Sequence, residues 1–317
     1  MSEVLTFGES MMVFAPSQSG LLRYINDYHS KFAGAESNTA IGLCKLGHAS
    51  EWFSRLGNDE LGQYILYKIR SEGVKTDHVI IDNKHPTGVM IKEFSGSNET
   101  KVYYYRDHSA ASHLHPADLI PEMFDNIKIM HFTGITPILS DSCHAITVSA
   151  VETAASRGIK ISFDPNIRKK LWKNNDQSEL IKKFVSRSNI VLLGLEEAEL
   201  LYGITDFNEI ADLLFSSHPG MEYLAVKNGA AGAYVSNGKS SHFIDPYPCN
   251  CIDSIGAGDA FNAAFLAGIL ENRPVEECGK MAAIAGALCT QATGDIESLP
   301  TRQELDNIIN HEQIVYR

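Results

Sequence analysis

The residues best equipped for chemistry lie in Asp253-Ser254-Ile255-Gly256-Ala257-Gly258-Asp259-Ala260-Phe261. Two glycines flank an alanine, an aspartate follows, and small and apolar residues run on through Phe265. The pattern is that of a loop entering the N-terminus of a buried helix. Glycines let backbone N–H groups approach a ligand without side-chain obstruction. A helix N-terminus adds unpaired donors and about half a positive charge. Gly256, Ala257 and Gly258 therefore form a candidate anion hole. A carboxylate beside such a hole repels the anion, so Asp259 needs another role. Accepting a hydroxyl proton supplies one, while the amides hold the charge that builds on a transferring phosphoryl group. A plain glycine turn, with Asp259 favoured in the first turn by the helix dipole, accounts for the same stretch. The rest of the chain has to decide between them.

Such a loop must be held by a scaffold, and the hydrophobic pattern supplies one. Val4 to Phe7 reads as a short buried strand ended by Gly8-Glu9. Phe32 to Asn38 opens a helix over Thr39 to Leu46, closed by Gly47; Asp59 to Glu72 forms another, closed by Gly73. Gly88 to Phe94 and Lys101 to Arg106 are strand-like with Gly96-Ser97-Asn98 between them, which predicts a hairpin. The hairpin interrupts a βα alternation. With part of 11–35 it is expected to form a small sheet standing off the main one.

The alternation then resumes. It runs through a strand at 127–133, a helix N-capped by Ser140 and closed by Gly158, and a strand ending at Asp164. A helix at 180–185, a strand at 190–193 and a helix at 196–202 follow. The strands 223–227, 233–236 and 241–244 come next, the last pair turning at Asn237-Gly238. Helices at 258–271, 275–292 and 301–310 complete the chain. The predicted fold class is α/β, a mostly parallel sheet with helices on both faces. In such sheets ligands sit beyond the carboxyl ends of the strands. Four segments fall there: Gly8-Glu9, Asp164 to Arg168, Gly194 to Glu197, and Lys227 to Gly232.

Composition narrows the function classes. The 317 residues are 44% hydrophobic and 21% charged, an ordinary globular balance. No apolar run approaches the ~18 residues needed to span a bilayer, and the start lacks the basic and apolar regions of a signal peptide. The expectation is a cytoplasmic protein with no membrane partner. Cys44, Cys143, Cys278 and Cys289 sit in helical-looking stretches, and Cys249-Asn250-Cys251 is too tightly spaced for a zinc pair with no second pair. His108, His113 and His115 have no ligand spacing. The net charge of −12 argues against nucleic acid. Anionic ligands would have to be attracted locally, by particular Arg and Lys residues, backbone amides and a cation.

Two motifs carry a family resemblance. Gly-Ala-Gly-Asp at 256–259 resembles the C-terminal signature of the PfkB-type, ribokinase-like sugar kinases. Phe32-Ala33-Gly34-Ala35-Glu36-Ser37-Asn38-Thr39-Ala40, with Leu46-Gly47 after it, is similar to their N-terminal signature. The resemblance covers essentially the whole chain. It implies one ribokinase-like domain over 1–317, with a lid formed by about 11–35 and 86–109. Tyr103-Tyr104-Tyr105-Arg106, with Ser109-Ala110-Ala111 behind it, resembles the lid segment of 2-keto-3-deoxygluconate (KDG) kinases. Asp164-Pro165-Asn166-Ile167-Arg168-Lys169-Lys170-Leu171-Trp172 fits a pattern shared by KDG kinases and bacterial fructokinases. KDG carries a carboxylate, which a planar guanidinium binds in bidentate fashion; fructose offers Arg106 no charge.

The resemblance assigns roles. Asp259 is the expected base. Gly34, Asn38, Tyr104, Arg106, Arg168 and Asp295 are expected on the substrate, and strand alternation puts Tyr104 and Arg106 on one face. Asn166, Arg168, Lys227, Gly229 and Gly232 are expected near ATP, with Gly256 and Gly258. Glu197 would act on Mg²⁺ through water, although Gly194 replaces the family asparagine of that motif. Asp253 would orient the loop or help hold a monovalent cation such as K⁺ through its carbonyl. Structural readings stand beside these: an N-cap for Asn38, plain strand residues for the tyrosines, a surface charge for Arg106 and a loop network for Asn166 and Arg168. The expected activity is ATP-dependent phosphorylation of KDG by a homodimer or a multiple of it. Fructokinase, or another kinase of the family, is the neighbouring alternative; a non-catalytic sugar-acid-binding regulator is the distant one.

Overall fold

A computed structural model describes residues 1–94, 100–172 and 175–310. The main sheet is built from β1 (Val4–Phe7), β4 (Ser50–Phe53), β9 (Ile129–Thr133), β10 (Lys160–Asp164), β11 (Ile190–Gly194), β12 (Tyr223–Lys227), β13 (Ala233–Ser236) and β14 (Ser241–Ile244). Their order is β14-β13-β12-β11-β10-β9-β1-β4. The pairs from β4 to β12 are parallel; β13 and β14 add an antiparallel edge. The central strands are apolar on both sides because both sides are covered. Met130, Phe132, Phe163, Val191 and Leu193 pack against α3 (Asp141–Ser156), α4 (Ser178–Val185), α5 (Leu195–Tyr202) and α6 (Phe207–Ser217). The alternate residues Ile129, Ile190, Leu192 and Ala225 face α7 (Ala257–Leu270), α8 (Val275–Cys289) and α9 (Arg302–Ile309). Helix α7 is buried from Asp259 through Ile269, as a helix apolar on all sides must be.

A second sheet has the order β3-β2-β7-β8, from β2 (Met11–Pro16), β3 (Tyr28–Ala33), β7 (Val89–Phe94) and β8 (Thr100–Tyr105). Its β7–β8 pair is the expected hairpin, with Met90 opposite Tyr104. The turn at Gly96-Ser97-Asn98 lies outside the described residues. A short parallel pair, β5 (Arg55–Gly57) with β6 (Ile80–Asp82), lies between the sheets in sequence. Helices α1 (Ala35–Lys45) and α2 (Glu60–Ser71) complete the fold.

The structure departs from the sequence reading in several places. Helix α1 begins at Ala35, four residues before Thr39, with Gly34 as its N-cap. The polar run Glu36-Ser37-Asn38 looks like loop, but tertiary partners satisfy it inside the helix. Glu36 is wholly buried and accepts from the Thr133 amide and the Thr133 and Thr136 hydroxyls. Asn38 is therefore no N-cap. Strands β4, β5 and β6 and helix α6 escape the sequence reading, and α8 stops at Cys289 rather than 292. β4 holds a charged residue, Glu51, that is buried and hydrogen-bonded by Ser2 and His78. Such pairing is invisible to a hydrophobicity pattern. Among the described residues no helix is long and apolar enough to cross a membrane, and no group of three or more His, Cys, Asp and Glu side chains is arranged to hold a metal ion directly. His131 is buried against the Ser162 hydroxyl, and desolvation lowers its pKa to about 4.

Candidate active site

One cleft of about 750 Å³ opens at the carboxyl ends of the parallel strands, under the second sheet. All four segments expected there contribute to it: Glu9 after β1, Asp164 to Arg168 after β10, Gly194 to Glu197 after β11, and Lys227 to Gly229 after β12. Gly256, Gly258 and Asp259 line its middle, and Met11, Met90, Tyr104 and Arg106 face it from the second sheet. Asn38, Gly34 and Asp295 close one end. Of the expected residues, Gly232, Ala257 and Asp253 stand just outside this surface.

The glycine loop is bent by its own backbone. Gly256 is left-handed, with φ 84°, and precedes the first residue of α7. A Cβ there would fall 2.7 Å from the Asp295 carbonyl oxygen. Gly258 has an ordinary φ, and a Cβ on it would meet only the Lys227 ammonium, at 3.8 Å. The two glycines thus serve different ends, and two substitutions separate them. Gly256→Ala should lower stability by about 1–3 kcal/mol through strain and displace the 295 segment. Gly258→Ala should melt within about a degree of wild type yet raise KM for nucleotide about tenfold, because a methyl obstructs the amides. Thermal melts beside steady-state kinetics read both; equal melting losses would refute the division.

Asp259 occupies the first turn of α7 and is buried. Its Oδ2 accepts from Asn38 Nδ2 at 2.8 Å, and the same amide reaches Asp295 Oδ2 at 3.3 Å. Burial raises the Asp259 pKa to about 8; the Asn38 hydrogen bond opposes this, Asp295 and Asp164 reinforce it, and Arg168 lowers it. Burial likewise raises Asp295, against the nearby Lys92 charge. One turn on from Asp259, Asn262 donates to Asp164 Oδ2 at 2.6 Å and accepts from Lys227 Nζ at 3.2 Å. Lys227 also holds Asp164 Oδ2 at 2.7 Å. An ammonium has three donors, so the structure uses two of Lys227's and leaves one for a ligand in the cleft.

At the end of the cleft closed by Gly34, Asn38 and Asp295, a Cβ on Gly34 would lie 2.6 Å from the Glu9 carbonyl oxygen, so only glycine permits the approach. Asn38 Oδ1 is buried with no hydrogen-bond partner. A buried orphan acceptor is costly, and a ligand hydroxyl would relieve it. Arg106 is buried rather than a solvated surface charge. Its guanidinium pairs with Glu9, Nε donating to Oε2 at 2.7 Å, and lies 5.6 Å from the Tyr104 ring. Ser109 donates to the other Glu9 oxygen at 2.5 Å. Arg168 is exposed at the rim. Asn166 is left-handed, φ 40°, with its amide on Asp164 Oδ1 at 3.0 Å; asparagine tolerates that conformation better than most residues. Glu9, Lys92, Asp164 and Asn262 were given no individual role from sequence. Asn262 alone left a usable signal, three residues after Asp259 on the same helix face.

The donor set can be tested against the expected cations. Glu197 Oε1 accepts from the Ile167 amide and Oε2 from the Gly194 amide, each at 2.7 Å. The Glu197 cap uses the backbone of residue 194 and needs no side chain there. Asp164 is buried and Glu197 half-buried at neighbouring strand ends, and desolvation and then Asp164 raise the Glu197 pKa. Lys227 neutralises one charge. Such a set suits a divalent cation held through water. At Asp253 the fit is different. Its Oδ1 accepts from the Ile255 amide at 3.1 Å, as expected of a loop-orienting residue, but its Oδ2 faces the Lys92 ammonium at 3.7 Å.

Behind the glycine loop lies a mostly apolar cavity of about 310 Å³. Phe261, Ala283, Tyr247 and Gly286 line it, and it shares Lys227, Gly229, Ser254 and Gly258 with the cleft. Gly232, left-handed at φ 99°, and Ala257 are on its wall. A flat ring system placed in this cavity would have its attached phosphates in the cleft at the α7 N-terminus.

A parallel sheet covered on both faces, with a strand-end cleft beneath a small second sheet, is the ribokinase-like architecture. The crystal structure of the 2-dehydro-3-deoxygluconokinase of Thermotoga maritima shares it, with a TM-score of 0.90 and 25% identity, over 98% of each chain. The chain belongs to the pfkB family of carbohydrate kinases, whose family model matches residues 1–302. It is 34% identical to the 2-dehydro-3-deoxygluconokinase of Bacillus subtilis, over 99% of this chain and 98% of the relative. It is 27% identical to a probable fructokinase-5 of Arabidopsis thaliana, over 96% and 97%.

Proposed function

We propose that this carbohydrate kinase transfers the γ-phosphoryl group of ATP to the terminal hydroxyl of KDG, giving 2-keto-3-deoxy-6-phosphogluconate and ADP. The observation that carries the reading is Asp259, buried and held by Asn38 beside the α7 amides, in one cleft with Arg106 and Arg168. The sugar lies against Gly34, Asn38 and Asp295. Its hydroxyl proton passes to Asp259 Oδ while the hydroxyl oxygen attacks phosphorus in line. The amides of Gly256, Ala257 and Gly258 receive the charge on the transferring group. Adenine fills the apolar cavity, and the remaining Lys227 donor meets phosphate. Magnesium, held through water by Glu197 and Asp164, would neutralise phosphate charge. Arg168 takes the substrate carboxylate, with Arg106 contributing through the ion pair it already makes with Glu9. The second sheet acts as a lid that excludes water. Tyr103 and Tyr105 are exposed on it, and a second copy of this chain would cover them, making a dimer measurable by sedimentation.

The test is ADP release with Mg-ATP and a panel of KDG, 2-ketogluconate, fructose, ribose and an inosine-type nucleoside. KDG should exceed the others in kcat/KM by about 100-fold, roughly 2.7 kcal/mol of transition-state preference. A preference for fructose would select the fructokinase reading and leave the nucleotide site and Asp259 in place. Ligand binding without turnover would select the regulator.

A further inference from the structure

Lys92 is a buried lysine that the sugar-kinase site does not use. It lies in β7 on the same face as Met90, which lines the cleft. Its side chain is almost wholly buried, at 2% exposure. The ammonium is 3.3 Å from Asp295 Oδ1 and 3.7 Å from Asp253 Oδ2, and both carboxylates are themselves buried. Each acid leads to the reacting centre. Asp253 holds the Ile255 amide at the start of the glycine loop. Asp295 shares the Asn38 amide with Asp259, and its backbone carbonyl packs against Gly256. Two buried carboxylates without a counter-charge would repel each other and the loop at a large desolvation penalty. A compact, tethered ammonium removes that penalty as a small monovalent cation would.

Resting on the sugar-kinase reading, we propose that the lid's Lys92 ammonium takes the place between Asp253 and Asp295 that a monovalent cation would otherwise fill. The glycine loop is thereby braced by the lid, and turnover does not require added K⁺. Lys92 is a positioning residue: it acts on the transferring group through Asp253 and on Asp259 through Asp295 and Asn38. Because the charge rides on β7, loop order and lid position are coupled.

Wild type, Lys92→Met and Lys92→Arg are compared in choline, potassium and ammonium chloride at one ionic strength. Two readouts are taken: the melting temperature without ligands, and kcat with saturating Mg-ATP and sugar. Wild type should melt alike in the three salts and turn over within about twofold. In choline, Lys92→Met should melt lower and lose at least about tenfold in kcat, with ammonium or potassium restoring part of both; Lys92→Arg keeps a tethered charge there and should, like wild type, respond to none of the salts, whatever its bulk costs in melting temperature. A wild type that needs potassium overturns the proposal. So does Lys92→Met that matches wild type in choline, or one impaired equally in every salt, which marks a packing role. If Lys92→Met does not fold, the wild-type salt series and Lys92→Arg still decide. The melting readout needs no sugar, so it stands even if KDG is not the substrate.

Discussion

Asp259→Asn should lower kcat by about three orders of magnitude or more while leaving nucleotide affinity within a few-fold. The amide keeps the volume and can still accept from Asn38, but it cannot take a proton. Isothermal titration with ATP, beside single-turnover kinetics, separates binding from chemistry. A variant that retains a tenth of wild-type turnover would remove Asp259 from the reaction. The wild-type pH profile should show the same group. With Asp259 raised to about 8 in the free protein, kcat/KM should climb with pH and level off above that value. The stability consequence has the opposite direction. The folded pKa lies above the unfolded one, so between the two the native state binds the extra proton, and stability falls as pH rises towards 8. Asp259→Asn should therefore melt higher than wild type at pH 9, by an amount that shrinks towards pH 5. A gap that stays constant with pH would show that Asp259 is not held in this state.

Arg168→Ala should lower kcat/KM for KDG by about 100-fold and change that for a neutral sugar by less than about threefold. Arg168 is exposed at the cleft rim, so its loss removes a ligand contact and leaves the melting temperature nearly unchanged. Arg106→Ala should behave differently. It strips Glu9, a buried carboxylate, of its cationic partner and leaves the Ser109 hydroxyl. Breaking a buried pair on one side costs about 3–5 kcal/mol, so this variant should lose stability together with activity. Arg106→Ala combined with Glu9→Gln should recover much of the melting temperature without recovering KDG turnover. Equal losses for KDG and fructose in Arg168→Ala would move the carboxylate contact elsewhere, or show that the substrate carries none.

The sequence by itself determined the sheet class, the glycine loop at the mouth of α7 and the strand ends where ligands gather. These features are local: an apolar run, a turn residue or a cap constrains its own segment through backbone sterics and burial. It also placed Tyr104 and Arg106 on one face, because strand alternation is geometric. Only the tertiary structure decided what each charge meets. Arg106 is engaged by Glu9, 97 residues earlier, Lys227 by Asp164 and Asn262, and Asn38 by Asp259 and Asp295. Helix α1 could start inside a polar run, and β4 could bury Glu51, because partners distant in sequence satisfy those groups. Lys92 is the plainest case. On β7 it is one of two adjacent charges, with Glu93, in an otherwise apolar strand, and its place between Asp253 and Asp295 exists only once the second sheet folds over the glycine loop. Coulomb interactions and desolvation depend on spatial neighbours, which spacing along a chain does not encode.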